Sequence, residues 1–567
     1  MTYRKAKIVC TVGHIPEPDI EQTIGQFIDA GADALRLNMG HFYPNTPEDE
    51  RYLDKLIDTI RIVSEKKGRA VAIIGDIQGP KVRIKEVISG SGVSDRVQAK
   101  PGGKFVLTSE NGISDKSLGA SIRTEGHFDF FQEVRKNVQK DENGYPKPIE
   151  FWFGDGKVIL QAAVKDVHAT SVTCRVVVGG ELKKGQGISV KNSAIRSGTY
   201  SLADHPKDRA DIDYLLRQEI DFFALSLANS ADDVKNLHSY IRLRIADLGL
   251  RKVEKRFYGI KEFPVISKIE TQQGFADLGA IMAVSAGIMV ARGDLALQTG
   301  IDRVGILQKQ IIAECVTAGK PVITATQMLL SMTEFKEPRR SEVTDVTNAI
   351  MDGTDALMLS EETADPDSKF PVESIAMMAQ IAARTEEELK RRNQIDYRYK
   401  TGQQHERIVA NLESKRAELE SVRKSKRIDG QPYKDRKLAL ETMGIADHIS
   451  YDACDNAMEL GCTAIVVLTE TGTAARLVSR FRPDIPILAG VYCDQIARLV
   501  RLNYGVEAFK IDKSRQRDRH PFEQYEQTIE QAREKGILNP GDRVLLVGGY
   551  PRPASGILNF LHVYEVR

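Results

Sequence analysis

The chain has 567 residues, of which 41% are hydrophobic and 28% are charged, and its formal net charge at pH 7 is +1. This length predicts roughly three or four domains, and the composition is that of an ordinary globular protein, which argues against a disordered or fibrous chain. The near-zero net charge argues against bulk electrostatic binding to nucleic acid or to a membrane surface.

Cysteine usage and the N-terminus predict a protein of the cytoplasm. The 6 cysteines are scattered and form no CxxC pair, which argues against a zinc site and against a disulfide framework. The N-terminal sequence MTYRKAKIVCTVG has no apolar segment of signal-peptide length. No stretch approaches the roughly 18 apolar residues of a transmembrane helix.

Strand and helix patterns alternate in residues 1–80, which predicts the first part of an α/β barrel. Lys7–Val12, Ala34–Met39 and Val71–Ile77 are short apolar runs typical of strands, and Ile20–Ala30 has helical periodicity. Strands separated by helices imply βαβ units and a parallel sheet.

Residues 81–196 lose the helical periodicity and predict a small all-β domain inserted into the α/β chain. Short alternating strands are predicted at Lys104–Thr108, Glu150–Phe153 and Ser171–Val178. Glycine-containing turns such as Gly102-Gly103 and Asp155-Gly156 separate them.

Strand–helix alternation resumes in residues 197–387, which predicts the second part of the barrel. The strand candidates are Phe222–Leu227, Pro264–Ile269, Gly287–Ala291, Pro321–Ala325 and Ala356–Leu359. Together with the N-terminal strands they make eight, the number that closes a TIM barrel.

Two further segments follow the barrel. Residues 388–440 are rich in lysine and arginine and carry apolar residues at helical spacing, which predicts a solvated helical insertion; a partner-binding arm is the alternative. Residues 441–567 predict an open α/β domain with strands at Ala464–Leu468, Ile485–Ala489, Val506–Ile511 and Val544–Val547. Because this domain has no GxGxxG segment, we assign it no dinucleotide.

Polar side chains follow the predicted barrel strands, at the end where the chemistry of such barrels takes place. They are Arg36, Asn38 and His41 after the second strand, Asp76 and Arg83 after the third, Lys268 and Glu270, Gly293 and Asp294, and Thr326. Any one of them alone would more often be a helix cap, a surface ion pair or a lysine extended to solvent. Their occurrence at consecutive strand ends predicts one shared site.

The residue types at this rim suit phosphoryl chemistry. Glu270 and Asp294 could hold one Mg²⁺, because this ion prefers oxygen ligands and takes one or two protein carboxylates. Lys268 and Arg36 supply positive charge for a phosphoryl group. Gly293 and Asp294 open a helix, whose free N–H groups could bind a carboxylate or phosphate.

Segments along most of the chain, except roughly 388–440, resemble the pyruvate kinase family. They read KIVCTVG at 7–13, LRLNMGH at 35–41, GDIQGPKVR at 75–83, SKIETQQG at 267–274, GIMVARGDLA at 287–296, PVITATQMLLSM at 321–332, MDGTDALMLSEETA at 351–364 and TETGTAARLVSRFRPDIPILA at 469–489. The resemblance implies a (β/α)8 TIM barrel with an inserted small β-barrel lid domain and a C-terminal open α/β regulatory domain. It also implies transfer of the phosphoryl group of phosphoenolpyruvate to ADP, giving pyruvate and ATP, with Mg²⁺ or Mn²⁺.

The same resemblance implies roles for individual residues. Lys268 and Arg36 act on the transferring phosphoryl group, and Glu270 and Asp294 are the divalent-metal ligands. Gly293, Asp294 and Thr326 bind the carboxylate end of phosphoenolpyruvate, with Thr326 near the carbon that is protonated afterwards. Asn38, His41 and Arg83 lie on the nucleotide side.

Several positions depart from the family's motifs, and some of these lie where the family binds potassium. Asn38 and Asp76 remain at the monovalent-cation position, but Gly40 replaces a serine ligand and Lys81 replaces a glutamate. A lysine ammonium is a compact unit charge that could replace the ion. We therefore predict that K⁺ is not required; the alternative is that Lys81 is a solvated lysine at the hinge of the inserted domain.

The turn after the first C-terminal strand resembles the family's sugar-phosphate effector loop. Thr469, Thr471, Gly472 and Thr473 could hold a phosphate through hydroxyl and N–H groups. Glu470 stands where members activated by fructose 1,6-bisphosphate carry a basic residue, so we predict no activation by that compound. The resemblance also implies a homotetramer under allosteric control.

Two other functions remain open at this point. One is a different magnesium-dependent barrel enzyme that handles phosphoenolpyruvate or pyruvate, although such an enzyme needs neither the inserted domain nor the C-terminal one. The other is a non-catalytic sensor with the same fold, which would be expected to have lost Lys268 or a metal carboxylate; both are present.

Overall fold

The computed structural model describes residues 4–42, 46–79, 82–89, 92–109, 119–123, 130–136, 138–154, 156–191, 202, 205–250, 262–426, 431–512, 522–549 and 558–567. Within these ranges, no helix is both long enough and apolar enough to pass through a lipid bilayer.

The N-terminal segment begins the barrel. Its elements are β1 (Lys7–Val12), α1 (Ile20–Ala30), β2 (Ala34–Asn38), α2 (Pro47–Lys66) and β3 (Ala72–Ile77). The strands are buried on both faces, as expected for strands covered by helices. Helix α2 begins at a threonine, Thr46, whose hydroxyl accepts from the Asp49 N–H, and a proline occupies its first turn.

The inserted segment is built of antiparallel strands, with one parallel pair. Its elements are β4 (Arg83–Ser89), β5 (Gly92–Ser94), β6 (Arg96–Ala99), β7 (Lys104–Thr108), β8 (Gly119–Arg123), α3 (Phe130–Lys136), β9 (Ile149–Phe153), β10 (Val158–Ala162), β11 (Ser171–Val178), β12 (Gly180–Lys183) and β13 (Ile188–Lys191). The main sheet has the order β13-β9-β10-β11-β7-β8-β4-β5. Backbone hydrogen bonds from Ile84 N to Gln186 O and from Ile188 N to Val82 O join its two ends. The sheet therefore curls into a small barrel around buried Phe105, Phe151 and Phe153.

The chain then returns to complete the large barrel. The elements are α4 (Pro206–Arg217), β14 (Phe222–Leu225), α5 (Ala231–Asp247), β15 (Val265–Ile269), α6 (Gln272–Ala276), α7 (Leu278–Val284), β16 (Gly287–Ala291), α8 (Arg292–Thr299), α9 (Val304–Ala318), β17 (Val322–Ala325), α10 (Arg340–Asp352), β18 (Ala356–Leu359) and α11 (Glu361–Ala364). Eight parallel strands close in the order β1-β18-β17-β16-β15-β14-β3-β2. The predicted eight-stranded barrel is therefore confirmed, with each strand boundary within two residues of the prediction.

Two long helices connect the barrel to the C-terminal domain, α12 (Pro371–Lys426) and α13 (Gln431–Glu459). The predicted helical segment at 388–440 is divided between them. It is not solvated on all sides, because Ile408 and Leu412 are buried in the core of the C-terminal domain. The ring of His405 stacks on that of Tyr451, with centroids 4.2 Å apart, which adds a second contact between the two helices.

The C-terminal domain contains β19 (Ala464–Leu468), α14 (Thr473–Ser479), β20 (Ile487–Val491), α15 (Asp494–Val500), β21 (Val506–Lys510), α16 (Glu523–Glu534), β22 (Arg543–Gly548) and β23 (Phe560–Glu565). The sheet order is β21-β20-β19-β22-β23, and only β23 runs antiparallel to its neighbour. The sequence reading found the parallel strands and missed β23. Its residues are partly or fully exposed, so this edge strand lacks the apolar run that identified the others.

Buried polar and apolar contacts fix the C-terminal domain against the end of the barrel at which the strands begin. Leu502 belongs to the cluster that fills the barrel interior, together with Phe222 and Ala356. Asp221, which precedes β14, accepts from Arg61 of α2 at 2.8 Å and from Arg498 of α15 at 2.7 Å. Burial raises the pKa of Asp221, but the two guanidinium groups outweigh that effect and hold it below its ordinary value.

Candidate functional site

A cleft of about 690 Å³ lies at the C-terminal ends of the barrel strands. Its lining includes the sequence-predicted residues Arg36, Asn38, His41, Arg83, Lys268, Glu270, Asp294 and Thr326. These residues come from β2, β4, β15, α8 and the end of β17. The structure thus brings together side chains that the sequence separates by almost 300 positions, because parallel strands of a closed barrel all end at the same rim.

A buried network of six side chains forms the base of the cleft. Lys268 Nζ donates to Ser226 Oγ at 2.8 Å and lies 3.3 Å from Asp76 Oδ2 and 3.2 Å from Glu270 Oε1. Arg36 Nε donates to Asp76 Oδ2 at 2.6 Å, and its Nη1 donates to Thr11 Oγ1 at 2.9 Å. Two cations therefore contact one carboxylate, and both also line the cleft.

Electrostatics keep the central carboxylate of this network ionised. Burial raises the pKa of Asp76, but the charges of Lys268 and Arg36, and the hydrogen bonds from both, lower it by more. The net pKa of Asp76 lies below its ordinary value. A permanently charged Asp76 holds Lys268 and Arg36 in fixed positions, which is what preorganised charge stabilisation requires.

Glu270 and Asp294 both line the cleft and form the carboxylate pair that could hold a divalent cation. Glu270 Oε2 accepts from the Leu227 N–H at 2.7 Å, which fixes the orientation of this carboxylate. Asp294 lies in the first turn of α8, and Ser189 Oγ of β13 is 3.5 Å from its Oδ1. No group of three or more histidine, cysteine or acidic side chains suited to a metal occurs in the described ranges. Two oxygen donors with room for substrate and water are the donor set that Mg²⁺ prefers, so these residues fit the ion.

Thr326 and Gly293 meet at the side of the cleft next to these carboxylates. The Gly293 N–H donates to Thr326 Oγ1 at 2.9 Å. Thr326 and Gln327 have φ values of +70° and +53°, a region that a β-branched residue such as threonine adopts only when its surroundings force it. Arg292 supplies that force, because Nε donates to Ala325 O at 3.1 Å and Nη2 donates to Thr326 O at 2.6 Å.

Asn38, His41 and Arg83 occupy the opposite side of the cleft. Asn38 Oδ1 accepts from the Gly40 N–H at 3.1 Å, and Arg83 Nη1 donates to Gly185 O at 2.9 Å. Burial, followed by the charges of Arg36 and Arg83, lowers the pKa of His41 below its ordinary value. The guanidinium groups of Arg36 and Arg83 supply positive charge to the cleft, which favours the binding of an anion such as a polyphosphate.

Some predicted positions lie outside the described residues. These are Lys81, which the sequence predicts to act in place of potassium, and Asp155, which belongs to a predicted turn of the inserted domain. Gly79, just before this region, is described. Its φ is +64°, and a Cβ there would lie 2.4 Å from Ser226 O, so only glycine fits this turn without displacing the backbone that holds Ser226.

The predicted effector loop adopts an ordered turn. The Gly472 N–H donates to Thr469 Oγ1 at 2.9 Å, and the hydroxyls of Thr471 and Thr473 are 3.0 Å apart. Burial, with a contribution from Glu470, raises the pKa of Tyr492 to about 12, which places the Glu470 carboxylate near that phenol.

Three residues of the site were missed by sequence reasoning. Ser226 bridges Lys268 and Asp76, Arg292 holds Thr326, and Thr11 accepts from Arg36. Ser226 directly follows β14, so its place at a strand end was the available signal. Arg292 also directly follows a strand, β16, so its position was a signal as well. The partners of Arg292 and Thr11 could not be predicted, because they are set by side-chain direction.

Comparisons with known proteins identify relatives of the whole chain that share this fold. Two family models match, one described as pyruvate kinase, barrel domain, over residues 3–375 and one described as pyruvate kinase, alpha/beta domain, over residues 447–564. A pyruvate kinase of Clostridium perfringens is 31% identical, and the match covers 99% of this chain and 100% of the relative. One from Thermococcus litoralis is 33% identical over 99% and 98% of the two chains. The crystal structure of a pyruvate kinase from Cryptosporidium parvum superposes with a TM-score of 0.75, at 26% identity over 100% and 96% of the chains.

Proposed function

The chain belongs to the pyruvate kinase family, the phosphotransferases that use phosphoenolpyruvate and ADP, and from this premise we propose which of its residues carry the reaction. The observation that supports the assignment most directly is the network at the base of the cleft. It places Lys268 and Arg36 in contact with Asp76, with Glu270 3.2 Å from Lys268 Nζ.

The proposed sequence of events needs only groups that line the cleft. Arg36 and Lys268 bind the phosphate of phosphoenolpyruvate, while Gly293, Asp294 and Thr326 face its carboxylate end. A β-phosphate oxygen of ADP attacks the phosphorus in line, and the bond between phosphorus and the enol oxygen breaks. Lys268 stabilises the negative charge on the resulting enolate of pyruvate, whose carbon 3 then takes a proton near Thr326. Charge held in place before the reaction costs no reorganisation during it.

Members of this family use a divalent metal, and we propose Mg²⁺ or Mn²⁺ for this chain with Glu270 and Asp294 as protein ligands. When bound, such an ion would neutralise phosphate charge and orient the phosphate oxygens. Glu270 Oε2 already accepts a hydrogen bond from the Leu227 N–H, and Glu270 Oε1 lies 3.2 Å from Lys268 Nζ. Because these contacts already orient the Glu270 carboxylate, it loses little conformational freedom when the ion binds.

The direct test of the proposed function is a coupled assay of ATP formation. Purified protein with phosphoenolpyruvate, ADP and Mg²⁺ is expected to produce pyruvate and ATP in equal amounts. Production of pyruvate without ATP, or of a product in which a carbon–carbon bond has been made or broken, would instead favour a different magnesium-dependent barrel enzyme.

The inserted segment is proposed to close over the cleft as a lid. It already contributes Arg83 and Lys157 to the lining, and Ser189 is 3.5 Å from Asp294. We expect ATP with pyruvate and Mg²⁺ to slow hydrogen exchange in β9, β10 and β13 and to reduce the radius of gyration, because closure excludes water. Unchanged exchange and unchanged small-angle scattering at saturation would contradict closure. Exchange in α16, far from the cleft, is the internal control.

The larger organisation is proposed from the same premise. We propose barrel segments at 1–80 and 197–387, the lid at 81–196, the helical connection at 388–440 and a regulatory domain at 441–567. We further propose a cytoplasmic homotetramer under allosteric control. Light scattering coupled to size exclusion would distinguish a tetramer from a dimer or monomer.

Fructose 1,6-bisphosphate is expected not to activate the enzyme. The Glu470 carboxylate lies near Tyr492 beside the effector loop, where it would repel a phosphate. Phosphoenolpyruvate saturation curves with and without the compound should therefore coincide, and the Glu470→Gln variant tests whether the charge is responsible. A saturable shift of the wild-type curve toward lower phosphoenolpyruvate concentrations would refute this expectation.

A further inference from the structure

The loop after β1 forms the end of the cleft that lies across the barrel from Lys268. In the closed strand order β1 is the fourth neighbour of β15 in both directions, so the ends of these two strands face each other across the barrel mouth. The steps proposed above use none of the residues that line this end of the cleft, which are Val12, Gly13 and His14 together with Ala364, Asp365 and Pro366.

This loop is held in place on both sides of His14. A side chain on Gly13 would collide with the backbone of Ala364 in α11, so the loop packs directly against that helix. The Ile15 N–H donates to the Tyr52 hydroxyl at 2.8 Å, which ties the loop to α2. His14 therefore stands between two anchored residues, and its backbone position is set before any ligand binds.

The ring of His14 is stacked on a second ring instead of extending into solvent. Its centroid lies 4.5 Å from that of Tyr52, with 26° between the ring planes, and Tyr52 is stacked in turn on Phe42 at 6.2 Å and 25°. Tyr52 and Phe42 are buried, whereas His14 is exposed and lines the cleft. The three rings thus form one aromatic series that begins in the core and ends at the cleft. Across the described ranges no further ring packs on His14, so its second face is available to a ligand.

A flat, exposed ring at the edge of a phosphate-binding cleft is suited to a nucleobase, because every base presents a π-face to an aromatic side chain. Other roles fit the position less well. His14 stands across the barrel from Lys268 and Glu270, which argues against a part in the phosphoryl step or in binding the divalent ion. An exposed histidine with no function would have no need of a buried tyrosine that fixes the plane of its ring.

The distance to the phosphate-binding residues is suited to a nucleotide. Arg36 Nη1 donates to Thr11 Oγ1 at 2.9 Å, and these two residues are register partners on the neighbouring strands β2 and β1. His14 follows Thr11 by three residues, a span of at most about 11 Å. A ribose with its phosphates bridges a distance of this order, so a diphosphate held at Arg36 and Lys268 can place its base at His14.

We propose that His14 is the base-binding residue of the nucleotide site: the nucleobase of ADP stacks on its open face and extends the series formed by Phe42, Tyr52 and His14. This inference rests on the proposed function, because it concerns the acceptor of that reaction. Gly13-His14-Ile15-Pro16 stands where the family's motif reads GPAS, so the resemblance itself supplies no aromatic ring at this position.

A stacking site determines which acceptors the enzyme uses. Stacking depends on the area of the base more than on the hydrogen-bonding groups at its edge. ADP and GDP present a two-ring base and are expected to be used about equally well. UDP and CDP present one ring, and their kcat/KM should be lower by about threefold to tenfold. The preference for purines is then a property of His14.

The experiment measures initial rates of pyruvate formation with ADP, GDP, UDP and CDP at saturating phosphoenolpyruvate and Mg²⁺. We expect His14→Ala to raise the KM for ADP about tenfold, through the loss of one stack between base and ring, while kcat and the KM for phosphoenolpyruvate change less than about twofold. The KM for UDP should rise less, so the preference for ADP over UDP narrows. His14→Phe keeps a ring and should retain both the KM for ADP, within about threefold, and the preference. His168→Ala removes an exposed histidine of the inserted segment and should match the wild type.

The outcomes separate a lost stack from a displaced loop. An unchanged KM for ADP in His14→Ala would overturn the inference and leave the proposed function in place. An equal rise for ADP and UDP, accompanied by a rise in the KM for phosphoenolpyruvate, would also overturn it, because that pattern indicates a displaced loop. A wild-type protein that phosphorylates none of the four nucleotides would overturn the proposed function and this inference with it. Thermal denaturation checks folding, and His14→Gln, which is polar but has no ring, gives the same test if His14→Ala does not fold.

Discussion

Replacement of Lys268 by methionine is expected to lower kcat by about 10²-fold or more, equivalent to about 2.7 kcal/mol of transition-state stabilisation. Lys268 is buried, and Ser226, Asp76 and Glu270 hold its ammonium group in place. Its charge is therefore available to the transferring phosphoryl group without rearrangement. Methionine retains most of the volume but removes that charge. Initial rates in the coupled ATP assay, over a range of phosphoenolpyruvate concentrations, measure kcat and KM separately.

Two controls accompany this prediction. Lys369→Met removes an exposed lysine that pairs with Glu334 at 2.6 Å, and it should leave kcat unchanged. Lys268→Arg retains the charge on a wider, planar group and is expected to recover part of the activity only, because the two cations are not geometrically equivalent. A near wild-type kcat in a folded Lys268→Met protein would remove Lys268 from the proposed mechanism.

The barrel was predictable because its strands are short apolar runs buried on both faces. Lys7–Val12, Gly287–Ala291 and Ala356–Leu359 were predicted with the boundaries that the structure has. Strand β23 was missed because it lies at a sheet edge, where its residues are partly or fully exposed, and because His562 interrupts its apolar residues. Packing by the long helices around 388–440 was missed for a different reason: charged residues dominate the segment, and only the folded chain reveals that Ile408 and Leu412 enter a core.

The candidate site was predictable in its charged residues and less so in the contacts that position them. Lys268, Glu270 and Asp294 stand at strand ends, which any parallel barrel brings to one rim. The positive φ of Thr326 and the guanidinium of Arg292 that maintains it depend on the direction of side chains after folding.

We propose that the wild-type enzyme is fully active without potassium. Of the oxygens expected at the monovalent-cation position, each described one already has a hydrogen-bond partner. Asn38 Oδ1 accepts from the Gly40 N–H, and Asp76 accepts from Arg36 and Lys268. This arrangement leaves a weak set of ligands for an ion.

The glycine that replaces the serine ligand strengthens the argument. A Cβ on Gly40 would lie 3.1 Å from Asn38 Oδ1 and 3.5 Å from Arg83 Nη2. The guanidinium of Arg83 is therefore close to the place where a serine side chain would stand, so a permanent positive charge is already present at this wall. Lys81 stands two positions before Arg83 in the sequence, at the position where the family's motif carries a glutamate according to the resemblance, and it brings a positive charge in place of a negative one.

The decisive measurement is the rate in potassium-free buffer at constant ionic strength, for wild type and for Lys81→Glu. The wild type should keep its full rate without K⁺. Lys81→Glu should lose about tenfold or more without K⁺ and recover when it is added, because a carboxylate in place of the ammonium needs a bound cation to restore the charge beside the phosphate. Lys165→Glu, which makes the same charge change at an exposed position of the inserted segment, should behave like the wild type. Strong activation of the wild-type enzyme by K⁺ would show that the ion is still required, and that Lys81 does not act in its place.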